Sequence, residues 1–178
     1  MGKKYSSLEE VRAFIERQPM FFVGSAPLDA QGHVNISPKG LDSVRILGPQ
    51  TIAYLDLTGS GIETTAHVRE NGRIVLMFCA FEGAPNILRL HGRGRAVPAG
   101  DAEFAALAAK FPPLDGARSV IVVEVNEIAD SCGMAVPLMK YEGQRDGLTN
   151  LARKLGAAGL EAYRREKNQQ SLDGLKGI

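Results

Sequence analysis

The chain carries no tryptophan and only two cysteines among its 178 residues, and its three histidines stand apart at His33, His67 and His91. Cys79 and Cys132 are too few for a disulfide framework, or for a tetrahedral zinc site without histidine help, so they read as buried or incidental thiols. No Ser-His-Asp arrangement and no carboxylate pair presents itself, which leaves hydrolysis without machinery. Charge of one sign is lacking too. Twenty-one basic and twenty acidic side chains leave a net charge of +1, so the broad electrostatic footprint of a nucleic-acid or anionic-membrane binder is missing and neither partner is expected. No apolar stretch approaches the roughly 18 to 20 residues of a membrane span. The start, MGKKYSSLEE, is polar where a signal peptide runs apolar. A soluble, cytoplasmic protein is expected.

What is present suits one core: an apolar content of 44% in a chain of single-domain length. Ser7 and Glu10 have capping-box spacing, and Leu8, Val11, Phe14 and Ile15 share a face until Pro19, which predicts an opening helix over residues 7–18. Residues 20–27 and 33–37, separated by Asp29-Ala30-Gln31-Gly32, read as a hairpin. Residues 51–57 are β-branched and aromatic, and residues 73–81 form an apolar run suited to a strand covered on both faces. A short helix falls between them. Residues 87–97 alternate, with Arg89, His91, Arg93 and Arg95 on one face, and Leu88, Leu90, Gly92, Gly94 and Ala96 on the other. Glycines in such a strand point to a bend or a close backbone approach. Asp101 caps a helix through Phe104, Leu107 and Phe111 that Pro112 and Pro113 end, and residues 120–125 give a sixth strand. Beyond residue 140, two helices broken at Gly156 and Gly159 and an extended tail over 169–178 are expected. Six strands in meander order predict a mainly β (α+β) chain, a six-stranded antiparallel split β-barrel with peripheral helices. It divides into residues 1–140, the barrel, and 141–178, a helical extension and tail of the same domain.

One segment carries a binding signal. The strand at 51–57 ends in Thr58-Gly59-Ser60-Gly61-Ile62-Glu63 and opens a helix. Ser60 and Glu63 repeat the capping-box spacing, and a helix start among small residues presents backbone N–H groups to which a phosphate can draw close. Hydroxyls of Ser60, Thr64 and Thr65 add donors, although the same residues also suit a plain capped helix with a glycine turn. A dinucleotide fingerprint does not fit, because the third glycine and the repeating βαβ units are missing. Asn35-Ile36-Ser37-Pro38-Lys39-Gly40 ends another strand. Neighbouring strand ends bring Ser37 and Lys39 toward Ser60, with Lys39 either a point charge for an anion or a solvated loop lysine.

These blocks, together with Asn71-Gly72-Arg73-Ile74-Val75-Leu76-Met77-Phe78 and Ile87-Leu88-Arg89-Leu90-His91-Gly92, resemble the flavin-binding split barrels of the pyridoxamine 5'-phosphate oxidase family over residues 10 to 128. The resemblance implies a homodimer with flavin mononucleotide (FMN) in a groove between subunits. By position, Asn35, Ile36 and Ser37 would line the flavin ring edge, and Leu55 and Asp56 the ribityl side. Ser60, Gly61, Thr64 and Thr65 would hold the phosphate with Lys39. The oxidase has an arginine and a lysine after the cradle serine where this chain has Gly61 and Ile62, so Lys39 and the helix start must carry the phosphate. The chain also lacks the oxidase's tryptophan and basic C-terminal stretch, which argues against genuine vitamin B6 oxidase activity. Related barrels bind F420 or haem instead.

The function expected is an FMN-dependent oxidoreductase of an unidentified small molecule. A flavin-binding protein for storage or sensing, or a haem or F420 barrel, is the alternative. Because a flavin supplies the hydride or electron transfer itself, a missing catalytic constellation is in keeping. Asp56, Arg89 and Tyr141 are the polar candidates near such a ring, although they equally suit a turn aspartate, an exposed strand arginine and a packed tyrosine. The C-terminal helices and the tail from Ser171 to Leu175 are expected to cover the flavin groove of their own subunit or of its partner.

Overall fold

The computed structural model describes residues 2–178. The capping box at Ser7 forms as its spacing predicts: Ser7 Oγ accepts from the Glu9 N–H at 3.2 Å and Glu10 Oε1 from the Ser7 N–H at 3.1 Å. A 3-10 turn, Leu8–Val11, then runs into helix α1, Arg12–Arg17, and buries Leu8, Val11 and Ile15.

Eight strands make one antiparallel sheet: β1 (Lys4–Tyr5), β2 (Phe21–Ser25), β3 (Asn35–Lys39), β4 (Val44–Gly48), β5 (Thr51–Leu57), β6 (Arg73–Cys79), β7 (Ile87–Pro98) and β8 (Ala117–Ser131). Their order is β3-β2-β6-β7-β8-β5-β4, with β1 added to β8. The terminal strands β3 and β4 do not pair with each other, so the sheet curls without closing and the barrel is split. Four helices complete the chain: α1, α2 (Glu63–Glu70), α3 (Phe104–Ala108) and α4 (Gly147–Lys167).

The sheet buries both faces. Inside the curl, Phe21, Tyr54 and Phe78 pack with ring centroids 5.4 and 5.7 Å apart among Leu76, Leu90, Ile121 and Val123. On the outer face Ala53, Leu55 and Leu57 of β5 meet Val120 and Val122 of β8, covered by Phe104, Leu107 and Phe111 from α3 and its exit. The period of two along β5 therefore sends Tyr54 to one core and Leu55 to the other. The glycines of β7 behave as their positions require. A Cβ at Gly92 would stand 2.3 Å from the Glu124 carbonyl oxygen, where the β7–β8 register shifts.

Three expectations need correction. There are eight strands among the described residues, not six: β1 is two residues long, and β4 is half-buried at every position, so neither shows an alternation to read. The C-terminal helix is interrupted once, at Gly156 (φ 63°, ψ −178°), while Gly159 continues it. The tail is not extended but closes on itself, with Ser171 N–H donating to the Leu175 carbonyl and Ile178 N–H to the Asn168 carbonyl. No helix among the described residues is long and apolar enough to cross a membrane.

Gly92→Ala should destabilise the protein by about 1–3 kcal/mol, because backbone rather than a side chain must give way. Gly100→Ala, with no heavy atom within 4 Å of its added Cβ, should stay within about 0.5 kcal/mol. Urea unfolding of both variants checks the pair, and equal midpoints would refute the close approach.

Candidate functional site

Asp56 is the last inward-facing residue of β5 and takes three side-chain hydrogen bonds. Lys39, the last residue of β3, donates to its Oδ1 at 2.9 Å, and Arg118 of β8 donates through Nε to its Oδ2 at 2.7 Å. Ser119 Oγ stands 3.5 Å from the same Oδ2. The Asp56 side chain is 4% exposed and that of Arg118 6%. Burial by itself raises the Asp56 pKa, but the charges and hydrogen bonds of Lys39 and Arg118 outweigh it and hold the carboxyl below its ordinary value.

A second network ties β3 to the start of α2. Asn35 Nδ2 donates to Thr64 Oγ1 at 3.1 Å, and Ser37 Oγ donates to Asn35 Oδ1 at 3.1 Å. Beneath them the buried His67 ring shares a hydrogen bond between Nδ1 and Ser25 Oγ at 3.0 Å, while its Nε2 has no protein partner. Burial depresses the His67 pKa against the opposing pull of Glu63, Asp173 and Glu70, so the ring is neutral at neutral pH. Tyr54, whose hydroxyl is also buried without a partner, has its pKa raised by burial and by the Asp56 charge.

Between these networks lies the loop from Thr58 to Ile62. The expected Ser60–Glu63 capping box does not form: α2 begins after Ile62 with no side-chain cap. The Glu63 carboxylate accepts instead from the Leu172 N–H, at 3.0 and 3.2 Å. Ser60 and Gly61 are exposed, and a Cβ at Gly59 or Gly61 would meet nothing within 4 Å. The N–H groups of Ser60, Gly61 and Ile62 have no acceptor among the described residues. Thr64 and Thr65 are buried, so the backbone rather than these hydroxyls is what the loop offers.

The back of the loop is built from residues that no motif announced. Asn168, fully buried at the end of α4, donates through Nδ2 to the Gly59 carbonyl at 3.0 Å and accepts at Oδ1 from Arg118 Nη1 at 2.9 Å. Thr58 Oγ1 donates to the Gly116 carbonyl and accepts from Arg164 Nε, both at 2.8 Å. A Cβ at Gly177 would overlap the Asn168 carbonyl at 2.1 Å, so the tail seats on the loop's support. Asp173 anchors the tail's turn through the N–H and ring Nδ1 of His33, at 2.8 and 2.6 Å.

The predicted residues thus gather unequally. Asn35, Ser37 and Thr64 bond to one another, and Lys39 and Asp56 form an ion pair. Ser60 and Gly61 line the open loop, Ile36 points outward at 69% exposure, and Leu55 belongs to the outer core. Arg89 bonds Ser131 Oγ at 2.9 Å, and the exposed Tyr141 lies along two grooves away from the loop. Those grooves, of about 720 and 890 Å³, flank α1 and include none of residues 58–65. No cluster of three or more metal-ligating side chains occurs among the described residues.

Comparison with known proteins agrees with the resemblance read from the strand blocks. The profile of the pyridoxamine 5'-phosphate oxidase family matches residues 7–132. The pyridoxamine 5'-phosphate oxidase family protein ustO of Aspergillus flavus is 38% identical over 192 residues, spanning 98% of this chain and 77% of that one. HupZ of Group A Streptococcus superposes with a TM-score of 0.55 at 25% identity, over 69% of this chain and 98% of its own. A putative pyridoxamine 5'-phosphate oxidase of Lactobacillus delbrueckii does so with a TM-score of 0.53 at 20% identity, over 72% and 98%. This chain belongs to the pyridoxamine 5'-phosphate oxidase family.

The depressed Asp56 pKa fixes a sign. Its stabilisation is complete above the ordinary aspartate pKa of about 4 and is lost as pH falls through the lower folded-state value. Asp56→Asn should cost about 3–5 kcal/mol at neutral pH, because it strands Lys39 and Arg118. It should also flatten the acid limb of the stability curve. Urea melts across the acid range test this, and a variant that loses as much stability on acidification as the parent would overturn it.

Proposed function

We propose that this chain is a flavoprotein that holds FMN by its phosphate at the loop from Gly59 to Ile62 and serves oxidation or reduction of a small molecule across a homodimer interface. The observation that carries the reading is the loop itself: three backbone N–H groups without acceptors, two glycines with open space around them, and a helix start beside them. An anion fits such a place, and the family to which the chain belongs makes a flavin phosphate the anion of choice. Bound FMN would supply hydride or electron transfer through its own ring.

The chain's own residues position and bind. Asp56 and Arg118 fix the end of β5 and hence the loop, Asn35 and Ser37 set the polar edge of β3 beside it, and Ile36 offers an apolar contact. The partner is argued from the same edge. β3 is a terminal strand paired on one side only, with Ile36 in it exposed at 69% and Val34 just before it at 72%, a surface that a second copy of the chain would cover. Vitamin B6 phosphate is not the substrate favoured, since the C-terminal segment that follows α4 folds onto the loop's support and carries no basic run.

Purified protein mixed with FMN should quench flavin fluorescence and, after denaturation, release FMN. Gly61→Asp, which sets a carboxylate among the open N–H groups, should weaken FMN at least about tenfold, or about 1.4 kcal/mol, with little change in melting temperature. A Soret band in place of a flavin spectrum, or no uptake of flavin, would overturn the assignment.

A further inference from the structure

Arg118 and Arg164 reach the rear of this loop from β8 and α4, and both are held by groups that leave part of each guanidinium unused. Arg118 commits Nε to Asp56 and Nη1 to Asn168 Oδ1 and the Gly59 carbonyl, and its Nη2 has no acceptor among the described residues. Arg164 commits Nε to Thr58 Oγ1 and Nη2 to the Ala117 carbonyl at 3.0 Å and the Gly116 carbonyl at 3.4 Å, and its Nη1 has none. Neither nitrogen is sealed from solvent, since the buried unpartnered atoms of the described residues are the Tyr54 hydroxyl and His67 Nε2. The anchors are consecutive in the chain, Thr58 with Gly59 and Ala117 with Arg118, so the two guanidiniums are neighbours.

The charges around them do not balance. Lys39 and Arg118 share a single carboxylate, Asp56, while Arg164 bonds only Thr58 Oγ1 and the Gly116 and Ala117 carbonyls and has no ion-pair partner among the described residues. Glu63, at the far end of the loop, is turned to the Leu172 N–H and stands 4.0 Å from His67. Burial first, and then the adjacent Arg118 charge, push the Arg164 pKa down. Two fixed forks with free N–H donors beside open backbone N–H groups make a receptor for a dianion.

Resting on the flavin reading above, we infer that Arg118 and Arg164 are the cations that neutralise the FMN phosphate, supplying the charge that Gly61 and Ile62 do not. Lys39, expected from sequence to do this, is committed to Asp56. The C-terminal helix is then part of the binding site: it delivers Arg164 to the phosphate, and Asn168 to the loop that cradles it.

The test compares FMN with riboflavin, which lacks the phosphate, in the full-length protein, Arg164→Gln and Arg164→Lys. Glutamine keeps a donor for Thr58 while removing the charge. It should weaken FMN by about tenfold or more and leave riboflavin within about twofold, and lysine should restore part of the loss. The salt dependence of FMN affinity should fall in Arg164→Gln. A merely structural arginine would lower both affinities alike or only the melting temperature, and either outcome overturns the inference while the flavin reading stands. If the parent protein takes up no flavin, that reading fails and inorganic pyrophosphate decides the arginine pair. A rise in melting temperature for the parent but not for Arg164→Gln supports the pair as an anion site, and equal responses reject it.

Discussion

One carboxylate holds the open side of this barrel together. The strands β3 and β4 end the sheet without pairing, and across that seam Lys39 of β3 reaches one oxygen of Asp56, whose other oxygen takes Arg118 from the neighbouring strand β8. Taking three charges out of water is costly, and such a cluster is weak evidence for stability. What it supplies is position. Arg118, once fixed by Asp56, presents Nη1 to Asn168, and Asn168 in turn holds the Gly59 carbonyl. The loop's carbonyls therefore face inward to the cluster. The N–H groups of Ser60, Gly61 and Ile62 are left without protein acceptors as a consequence of how their neighbours are tied.

The elements that could be read from sequence are those whose burial alternates or whose ends are punctuated. The strand at Thr51–Leu57, the alternating β7 and the Ser7 capping box were legible because local pattern and tertiary environment agree there. β4 was not, because every one of its residues is half-buried at the sheet's end and no periodicity survives. In the site, glycine-serine-glycine at a strand-to-helix junction was a local signal for an anion cradle. Its support was invisible. Arg118 lies 62 residues from Asp56, and Asn168 lies 109 from Gly59, inside segments whose composition reads as plain strand and plain helix end.

The failure of one motif is itself informative. Ser-x-x-Glu occurs at Ser7–Glu10 and again at Ser60–Glu63, and only the first closes into a capping box. At the second, the Leu172 amide of the folded tail takes the glutamate, and Ser60 stays on the surface. A completed box would have filled the first-turn donors of α2 with the protein's own side chains. Because α2 begins after Ile62, Ser60 stands two residues ahead of the N-cap and the box register is not met, while the Glu63 carboxylate is used to hold the tail.

The same logic separates the two ends of the proposed flavin site. Its phosphate end is rigid, because Asp56, Arg118, Asn168 and Thr58 bond to one another and to the backbone of a single chain. Its ring end borders a sheet edge, the free side of β3, where Ile36 points outward. On the proposed reading, affinity would rest on charge placed by one subunit, and enclosure of the ring, with the choice of substrate, would fall to the surface that covers β3. A family built this way can keep its anchor and change its chemistry by altering the covering surface alone.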